Sequence, residues 1–381
     1  MKLELTEEQQ MIQALAREFA LKEVQPVAGQ IDQEARFPHE TVKRMGELGF
    51  MGIAVPEAYG GAGADPVAYV LALEEIAKVC ASHAVIMSVN NSLYCDSVLK
   101  YGTEDQRKKF LTPFASGRKI GCFALTEPQA GSDASNQNTL AVRAGTWYVL
   151  NGRKAFVSNG REAAAALVIA QTDAARGRQG ITAFLVEKGT PGFLVPKVED
   201  KLGIRASDTA EFVFEDCRVP VENRLGPEGM GFKIAMSSLD GGRIGIGAQA
   251  VGIAAGAFER SVVYARERKA FGVPIGHHQM VQWMLADMAT AIEAARLLVW
   301  RAATLKGAGQ PFSVEASMAK LFASEMAMKV TTDAIQVHGG YGYIKEFQVE
   351  RYFRDAKITQ IYEGTSQIQK LVIARHLFGI Q

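Results

Sequence analysis

The sequence lacks an excess of charge of either sign, a cysteine framework and any long hydrophobic run. Its 42 Lys and Arg residues nearly balance its 41 Asp and Glu residues, for a formal net charge of +1. This balance gives no electrostatic reason to expect nucleic acid or an anionic membrane as the main partner. The most apolar stretch, residues 163–170, has the length of a strand, whereas a membrane span needs about 18 apolar residues. We therefore predict a protein that binds neither nucleic acid nor membrane.

Cysteine and histidine are too sparse and too scattered for a metal site. The four cysteines, Cys80, Cys95, Cys122 and Cys217, are far apart and form no Cys-x-x-Cys pair, and the six histidines show no spacing typical of metal ligands. Neither a disulfide framework nor a metal is indicated. The start of the chain has no pattern of a signal or transit peptide. These features predict a cytoplasmic protein with reduced thiols.

The chain is long enough for two or three domains, and its hydrophobic periodicity changes twice. Residues 1–121 predict an N-terminal α-helical domain, residues 122–230 a middle β domain, and residues 231–381 a C-terminal helical bundle. The predicted helices are 41–48, 66–80, 232–266, 280–305 and 314–337. The predicted strands include 181–186 and 210–214.

Two local patterns carry specific structural predictions. Thr6 followed by Gln9 is typical of a capping box at the start of a helix. In the middle zone, the strand patterns 146–150 and 154–157 are separated by Asn151-Gly152, the pair favoured in type I′ turns. We therefore predict a β-hairpin that turns at Asn151-Gly152.

Four segments contain residues suited to ligand binding or catalysis. They are Leu125-Thr-Glu-Pro-Gln-Ala-Gly-Ser132, Arg268-Lys-Ala-Phe-Gly272, Gln336-Val-His-Gly-Gly-Tyr-Gly342 and Gln360-Ile-Tyr-Glu-Gly-Thr-Ser366. The first is a Pro- and Gly-rich loop whose backbone N–H groups suit the edge of a planar heterocycle, although a capped turn has the same composition. Arg268, at a predicted helix end, is either a solvated terminus or a planar fork for pyrophosphate.

In their order and spacing, these segments resemble the acyl-CoA dehydrogenase family over essentially the entire chain. The resemblance implies the fold of that family, with a helical domain, a β-barrel-like or sandwich domain and a four-helix bundle. It implies FAD as cofactor, without a Rossmann domain, since no Gly-x-Gly-x-x-Gly follows a strand. It also implies a homotetramer, a dimer of dimers in which FAD is shared across subunits.

The resemblance assigns residues to the cofactor and the substrate. The residues implied along the flavin are Phe123, Leu125, Thr126, Ser132, Phe156, Val157 and Ser158. Those implied on other parts of FAD, partly across a subunit boundary, are Arg268, Phe271, Gln279, Gln336, Gly339, Gly340, Thr365 and Gln367. The implied substrate contacts are Ser132, Asp240, Arg243, Tyr362 and Gly364. Phe156 and Ser158 depart from the Trp and Thr usual in the family, but they keep an aromatic face and a hydroxyl group.

Glu363 is the predicted catalytic base. Removing a proton α to a thioester requires a carboxylate held in a place dry enough to raise its basicity, and little around Glu363 in the sequence is charged. A surface Glu in a loop is the alternative. Some family members place the base just before the residue that corresponds to Arg243. Here Gly242 occupies that place and cannot act as a base, which supports Glu363 as the only one.

The implied reaction is the FAD-dependent α,β-dehydrogenation of a short- to medium-chain acyl-CoA to the trans-2-enoyl-CoA. Glu363 would take the α-proton, while its backbone N–H and a ribityl hydroxyl of FAD would polarise the thioester carbonyl. Electrons would pass to an electron-transferring flavoprotein. A same-fold flavin oxidase or monooxygenase that uses oxygen, and a non-catalytic FAD-binding assembly factor, are the alternatives. Asp240 and Arg243 fit either a substrate contact or an i,i+3 ion pair.

Acyl-chain length depends on the segment 90–96, which by resemblance closes the acyl pocket. Leu93 and Tyr94 are bulky, and either one facing inward would limit the chain to roughly four to six carbons, since each buried methylene contributes about 0.8 kcal/mol. The alternative is that both side chains pack between helices. The closest resemblance is to short-chain, butyryl-type members, which favours a short chain.

Overall fold

The computed structural model describes residues 4–380, and residues 4–120 are helical. Thr6 and Gln9 form the predicted capping box at the start of the first helix, each side chain accepting the other residue's backbone N–H. The helices are α1 Glu7–Phe19, α2 Gln25–Glu34, α3 His39–Glu47, α4 Pro66–Ala77, α5 Ala81–Ser88, α6 Asp96–Tyr101, α7 Glu104–Phe110 and α8 Thr112–Ala115.

Two π-helical segments join neighbouring helices of this region. Ala20–Val24 connects α1 to α2, and Val89–Cys95 connects α5 to α6. Such π-helical turns are rare and are found frequently at functional sites. Val89–Cys95 is fully buried and contains Leu93 and Tyr94.

The middle of the chain forms one mixed sheet. Its strands are β1 Gly121–Ala124, β2 Leu140–Ala144, β3 Trp147–Ser158, β4 Ala165–Gln171, β5 Ile181–Glu187, β6 Phe193–Val198, β7 Thr209–Pro220 and β8 Arg224–Leu225. They lie in the order β6-β7-β3-β2-β4-β5-β8, and β1 pairs with β4 in parallel. The ring centroid of Tyr148 on β3 lies 4.9 Å from that of Phe184 on β5, three strands away, which shows that the sheet is strongly curved. One face encloses its own apolar core, while the other packs on the helical core.

The predicted turn at Asn151-Gly152 is wrong. β3 runs through both residues, and the hairpin instead turns at Gly145, between β2 and β3, where φ is +64°. Gly152 has φ +149° and lies so close to Thr139 that a Cβ there would stand 2.6 Å from the Thr139 Cα. The glycine therefore serves a close backbone approach inside the sheet.

The rest of the chain is again helical. Its elements are α9 Gly231–Glu267, β9 Lys269–Ala270, β10 Val273–Pro274, α10 Gln279–Gly307, α11 Ser313–His338, α12 Val349–Thr359 and α13 Ser366–Phe378. Helices α9, α10, α11 and α12 pack together, and α9 also packs on α4. The central part of α9, residues 241–257, is buried on all sides, as expected of a helix at the centre of a core. This order of helices, sheet and helical bundle confirms the predicted fold class.

No helix within residues 4–380 combines the length and the apolar composition that crossing a bilayer requires.

Candidate active site

Glu363 lies on the loop between α12 and α13, in a strained backbone conformation. Its φ is +53°, and that of Gly364 is +92°. A non-glycine residue in this region is uncommon and persists only where its surroundings hold it in place. Thr365 ends the loop by accepting the backbone N–H of Ile368 as the N-cap of α13. The loop thus presents Glu363 from a fixed position rather than from a mobile surface turn.

Two buried side chains hold the carbonyl groups of this loop. Gln369 Nε2 donates to Gly364 O at 2.8 Å and to Glu363 O at 3.3 Å. Lys320 Nζ, from α11, donates to the same Gly364 oxygen at 2.6 Å. Lys320 and Gln369 are both fully buried. Neither residue is a candidate from the sequence: Lys320 is 44 residues from Gly364 in the chain, and Gln369, five residues from it, has the composition of any polar helix position.

Glu363 is half-buried, and its carboxyl oxygen Oε2 points into the protein. Within residues 4–380, no donor reaches its buried Oε2. A Cβ built on Gly242 would stand 2.9 Å from Glu363 Cδ and would overlap Oε2. Burial raises the pKa of Glu363 from 4.5 to about 7, against the positive charges of Lys320 and Arg243, which lower it. A carboxyl group with this pKa can both accept and release a proton near neutral pH.

Asp240 and Arg243 lie one turn apart on α9, beside Gly242. Asp240 Oδ1 accepts a bond from Arg243 Nη1 at 2.6 Å, so the ion pair expected from their spacing is present. Arg243 Nε has no partner within residues 4–380, and burial raises the pKa of Asp240. The pair therefore has unused hydrogen-bonding capacity next to the base, and its predicted contact with substrate stays a prediction.

The structure separates the two side chains proposed to limit the acyl chain. Leu93 Cδ2 would lie 2.9 Å from a Cβ on Gly242, so Leu93 borders the space in front of Glu363. Tyr94 instead packs against Gly121 of β1 and against Phe114, with 4.6 Å between the two ring centroids. Of the two side chains, only Leu93 borders the space in front of Glu363, and its effect on acyl-chain length stays a prediction.

Tyr362 packs against the helical core, and its hydroxyl donates to Gln249 Oε1 on α9. Tyr362 is thereby fixed beside Glu363 on the same loop.

The segments predicted to border the flavin meet near the end of β3. Ala155 N donates to Thr126 O at 2.8 Å, which joins the 125–132 loop to the 156–158 segment. Phe156 lies at a β-bulge with φ +57°, and 66% of its surface is exposed. Phe123, Leu125 and Val157 are buried, Thr126 and Ser158 are half-buried, and Ser132 is exposed. An exposed aromatic ring on a strained bulge is typical of a ligand-binding position.

A buried ion pair between Lys154 and Glu127 holds the 125–132 loop in place. Lys154 Nζ donates to Glu127 Oε1 at 2.7 Å, to Leu125 O at 3.1 Å and to the side chain of Gln137. Glu127 also accepts backbone N–H groups from Asn138 and Thr139 at 2.6 and 3.0 Å. Burial lowers the pKa of Lys154 to about 8. The pair was not predicted, although strand alternation puts Lys154 on the buried face with Tyr148 and Leu150.

A separate cavity of about 440 Å³ brings together two other predicted segments. Arg268, the C-cap of α9, places its guanidinium 5.4 Å from the Tyr341 ring centroid. Gln336 and the backbone of residues 339–340 line the same cavity, and a Cβ on Gly339 or Gly340 would meet no atom within 4 Å. The structure therefore brings the arginine and the glycine-rich turn together, and their contacts with FAD stay predictions.

Other predicted cofactor contacts lie outside this cavity. Phe271 forms the tip of the β9–β10 hairpin with φ +53°, and 96% of its surface is exposed. Gln279 is exposed at the first position of α10, Gln367 is exposed in α13, and Thr365 caps α13. None of these four residues lines the cavity that contains Arg268. Their contacts with FAD stay predictions.

Comparison with known protein families decides the affiliation of the chain. Models for the N-terminal, middle and C-terminal domains of acyl-CoA dehydrogenase match residues 6–118, 122–217 and 229–378. The chain belongs to the acyl-CoA dehydrogenase family. The resemblance inferred from the four sequence segments is thereby confirmed.

Individual members of the family are similar over nearly the full length. The short-chain specific acyl-CoA dehydrogenase of Clostridium acetobutylicum is 54% identical, covering 99% of this chain and 100% of that protein. The butyryl-CoA dehydrogenase structure from Megasphaera elsdenii is 48% identical with a TM-score of 0.98, covering 99% of this chain and 100% of the other.

Two further solved structures bear on partners and cofactor. A chain in the structure of the electron transferring flavoprotein of Acidaminococcus fermentans is 53% identical, with a TM-score of 0.98 and 99% of each chain covered. The glutaryl-CoA dehydrogenase of Mycobacterium smegmatis in complex with FADH2 is 33% identical, with a TM-score of 0.93, covering 98% of this chain and 95% of the other.

Proposed function

We propose that this protein is an FAD-dependent acyl-CoA dehydrogenase that forms a trans double bond between the α and β carbons of a short- to medium-chain acyl-CoA. The observation that carries the proposal is the Oε2 atom of Glu363, which is buried, has no hydrogen-bond partner within residues 4–380 and lies against Gly242. Glu363 takes the α-proton, and the electron pair of the broken α C–H bond becomes the double bond. FAD, when bound, would accept the hydride that the β carbon loses.

The residues present fit FAD at two places. Phe156 offers an exposed aromatic face beside the Thr126 loop, and Arg268 offers a guanidinium beside the open backbone of Gly339 and Gly340. We assign the first place to the flavin and the second to the phosphate and adenosine portion, where charge-assisted bonds are strong. When bound, FAD supplies the ring that accepts the hydride. The protein supplies the base, holds the cofactor and excludes water from the Glu363 carboxyl group.

Preference for a short acyl chain is supported by Leu93, whose side chain narrows the space in front of Glu363, and by the short-chain and butyryl-CoA dehydrogenases among the similar proteins. We assign the bound thioester arm to Asp240 and Arg243, which lie one turn apart on α9 beside the base. Ser132, exposed on the 125–132 loop, is assigned to the CoA portion.

Electron transfer to an electron-transferring flavoprotein is supported by the similar chain in the Acidaminococcus fermentans structure. The homotetramer rests on membership of the family alone and stays a prediction. The cytoplasmic location stays a prediction of the sequence. An oxidase would differ in a measurable way, since its reduced flavin would be reoxidised rapidly by air without a protein acceptor.

The test is the Glu363→Gln variant, mixed anaerobically with butyryl-CoA while flavin absorbance is followed. The nearly isosteric change should leave FAD bound but slow flavin bleaching by at least ~10²–10⁴-fold, the typical contribution of a general base. Glu47→Gln, at an exposed position of α3, is the matched control and should bleach at the wild-type rate. Bleaching of the Glu363→Gln flavin at that rate would contradict the proposal.

A further inference from the structure

Lys320 is a fully buried lysine whose charge has no carboxylate partner. Its only hydrogen bond is donated to Gly364 O at 2.6 Å, and it forms no salt bridge within residues 4–380. An ammonium group carries three donors, and burying it without a counter-charge is expensive. The negative charge that acts on it most strongly is Glu363, ahead of Glu325. The ionisation of the Lys320 ammonium group and that of the Glu363 carboxyl group are therefore coupled.

The other charges near Glu363 have partners of their own. The titratable and charged groups on the elements around the loop are Tyr69 of α4, Asp96 of α6, Asp240 and Arg243 of α9, Lys306 of α10, Lys320 and Glu325 of α11, and Tyr362 of the loop itself. Arg243 is paired with Asp240 at 2.6 Å, Asp96 with Lys306 at 3.1 Å, and Glu325 accepts from Ser366 at 2.7 Å. Among the residues that the structure describes, Lys320 alone presents to the base a positive charge that forms no salt bridge.

The Lys320 ammonium group also restrains the backbone of the loop that carries Glu363. Residues 363 and 364 both have positive φ, which backbone preference alone does not stabilise at a glutamate. Gly364 O accepts two buried donors, Lys320 Nζ and Gln369 Nε2. Hydrogen bonds from a charged group contribute more than neutral ones, so the Lys320 bond is the stronger of the two restraints.

We propose that Lys320 is the positioning residue of the base: its ammonium group holds the Glu363–Gly364 turn through the Gly364 carbonyl and keeps an unpaired positive charge beside the Glu363 carboxyl group. This inference rests on the proposed function of Glu363. Burial lowers the pKa of Lys320 only to about 8, so the ammonium form predominates at pH 7. Removing that charge favours the neutral acid form of Glu363 and raises the pH at which the base becomes active.

The test is the pH profile of kcat/KM for butyryl-CoA, which reports the ionisation of essential groups in the free enzyme. Lys320→Met removes the charge and the donor with little change in length. We expect the midpoint of its acid limb to lie about one pH unit above that of the wild type, the lower end of the effect of a nearby charge. Relative to the wild type, kcat/KM of Lys320→Met should then be reduced about tenfold more at pH values below both midpoints than at pH values above them. Lys320→Arg should keep the midpoint near the wild-type value.

Lys329→Met is the matched control on the same helix, because Lys329 is exposed and paired with Asp333 at 2.6 Å. It should leave the midpoint unchanged. A uniform loss of rate in Lys320→Met with an unmoved midpoint would overturn the proposal. If Lys320→Met does not fold, Lys320→Gln gives the same comparison, and a wild-type midpoint in that variant would also overturn it. Failure of the proposed function is distinguishable, since the wild-type flavin would then not be reduced by butyryl-CoA.

Discussion

The carboxyl group of Glu363 occupies the space that a side chain on Gly242 would need. A Cβ at position 242 would overlap Glu363 Oε2 and would lie 2.9 Å from Leu93 Cδ2. The two positions are 121 residues apart in the chain yet share one volume. Consequently a carboxylate on one of them leaves no room for a side chain on the other. This relationship gives a physical reason for glycine at 242 in a protein whose base lies at 363.

Gly242→Ala should abolish most activity while leaving the fold intact, because the new methyl group displaces the carboxyl group of the base. A displacement of about 1 Å at a reacting group can reduce the rate about 10²-fold. Gly241→Ala is the matched control, since its Cβ would meet only side-chain ends, at 3.1 Å from Lys306 Nζ and 3.5 Å from Asp96 Oδ2. Anaerobic flavin reduction by butyryl-CoA measures both variants. Equal rates in the two would contradict the shared-volume argument.

The difference in stability between the Glu363→Gln variant and the wild type should change with pH. Glu363 has a pKa of about 7 in the folded protein and 4.5 as its ordinary value. Its contribution to stability is therefore fully present below pH 4.5 and is lost as the pH rises through 7. Glutamine does not ionise, so the variant does not lose stability in this way. Its Tm should therefore rise relative to that of the wild type as the pH increases from mildly acidic to mildly alkaline values. Thermal unfolding of both proteins across that range measures the gain, and a constant Tm difference would count against the buried state of Glu363.

Lys154→Met should destabilise the β domain by about 3–5 kcal/mol, because it leaves Glu127 buried without its counter-charge. The double variant Lys154→Met, Glu127→Gln should recover much of this loss. Lys197→Met on β6 removes an exposed ion pair with Glu199 and should change stability by less than about 1 kcal/mol. Denaturant unfolding of the flavin-loaded proteins provides the comparison. Additive losses in the double variant would show that the pair is not coupled.

Arg268→Ala should weaken FAD retention and loosen the oligomer together, since we assign its guanidinium to the pyrophosphate across a subunit boundary. A charge-assisted bond contributes about 1.5–3 kcal/mol. Arg266→Ala removes the same charge from the last turn of α9 and should retain flavin. Flavin absorbance after extensive dialysis, with the mass of the assembly, measures both effects. Full flavin occupancy in Arg268→Ala would argue against the assignment.

Catalytic efficiency should peak at butyryl- or hexanoyl-CoA and fall steeply by dodecanoyl-CoA. Leu93→Ala should raise the efficiency for longer chains relative to butyryl-CoA, because each additional methylene buried contributes about 0.8 kcal/mol. Tyr94→Phe is the control, since Tyr94 packs against Gly121 and away from Glu363. A panel of acyl-CoA thioesters with an artificial electron acceptor gives both profiles. A profile that is flat through twelve carbons would refute the role of Leu93.

Long helices could be predicted from the sequence, whereas contacts between distant residues could not. Helices α9, α10 and α11 extend beyond the predicted 232–266, 280–305 and 314–337 by one or two residues at each end, because apolar periodicity over many turns is unambiguous. The domain boundaries inferred at 121 and 230 stay predictions.

The wrong turn at Asn151-Gly152 has a different cause. The pair is chemically suited to a turn, but the glycine is used for its contact with Thr139, which only the folded sheet reveals. Lys154 and Lys320 were missed for the same reason. Their partners lie 27 and 44 residues away in the chain, so neither lysine is unusual until the chain is folded.

The continuous course of β3 also affects how the protein ages chemically. In an Asn-Gly pair, the backbone nitrogen of glycine can attack the side-chain amide and release ammonia, provided that the backbone is free to bend. The chain has two such pairs. The Asn151 side chain is bonded to Asp216 in both directions, at 3.1 and 2.8 Å, and buried Asn159 donates to Ile86 O at 3.1 Å. Deamidation at either site therefore requires local opening, so isoaspartate there would record how often this part of the sheet unfolds.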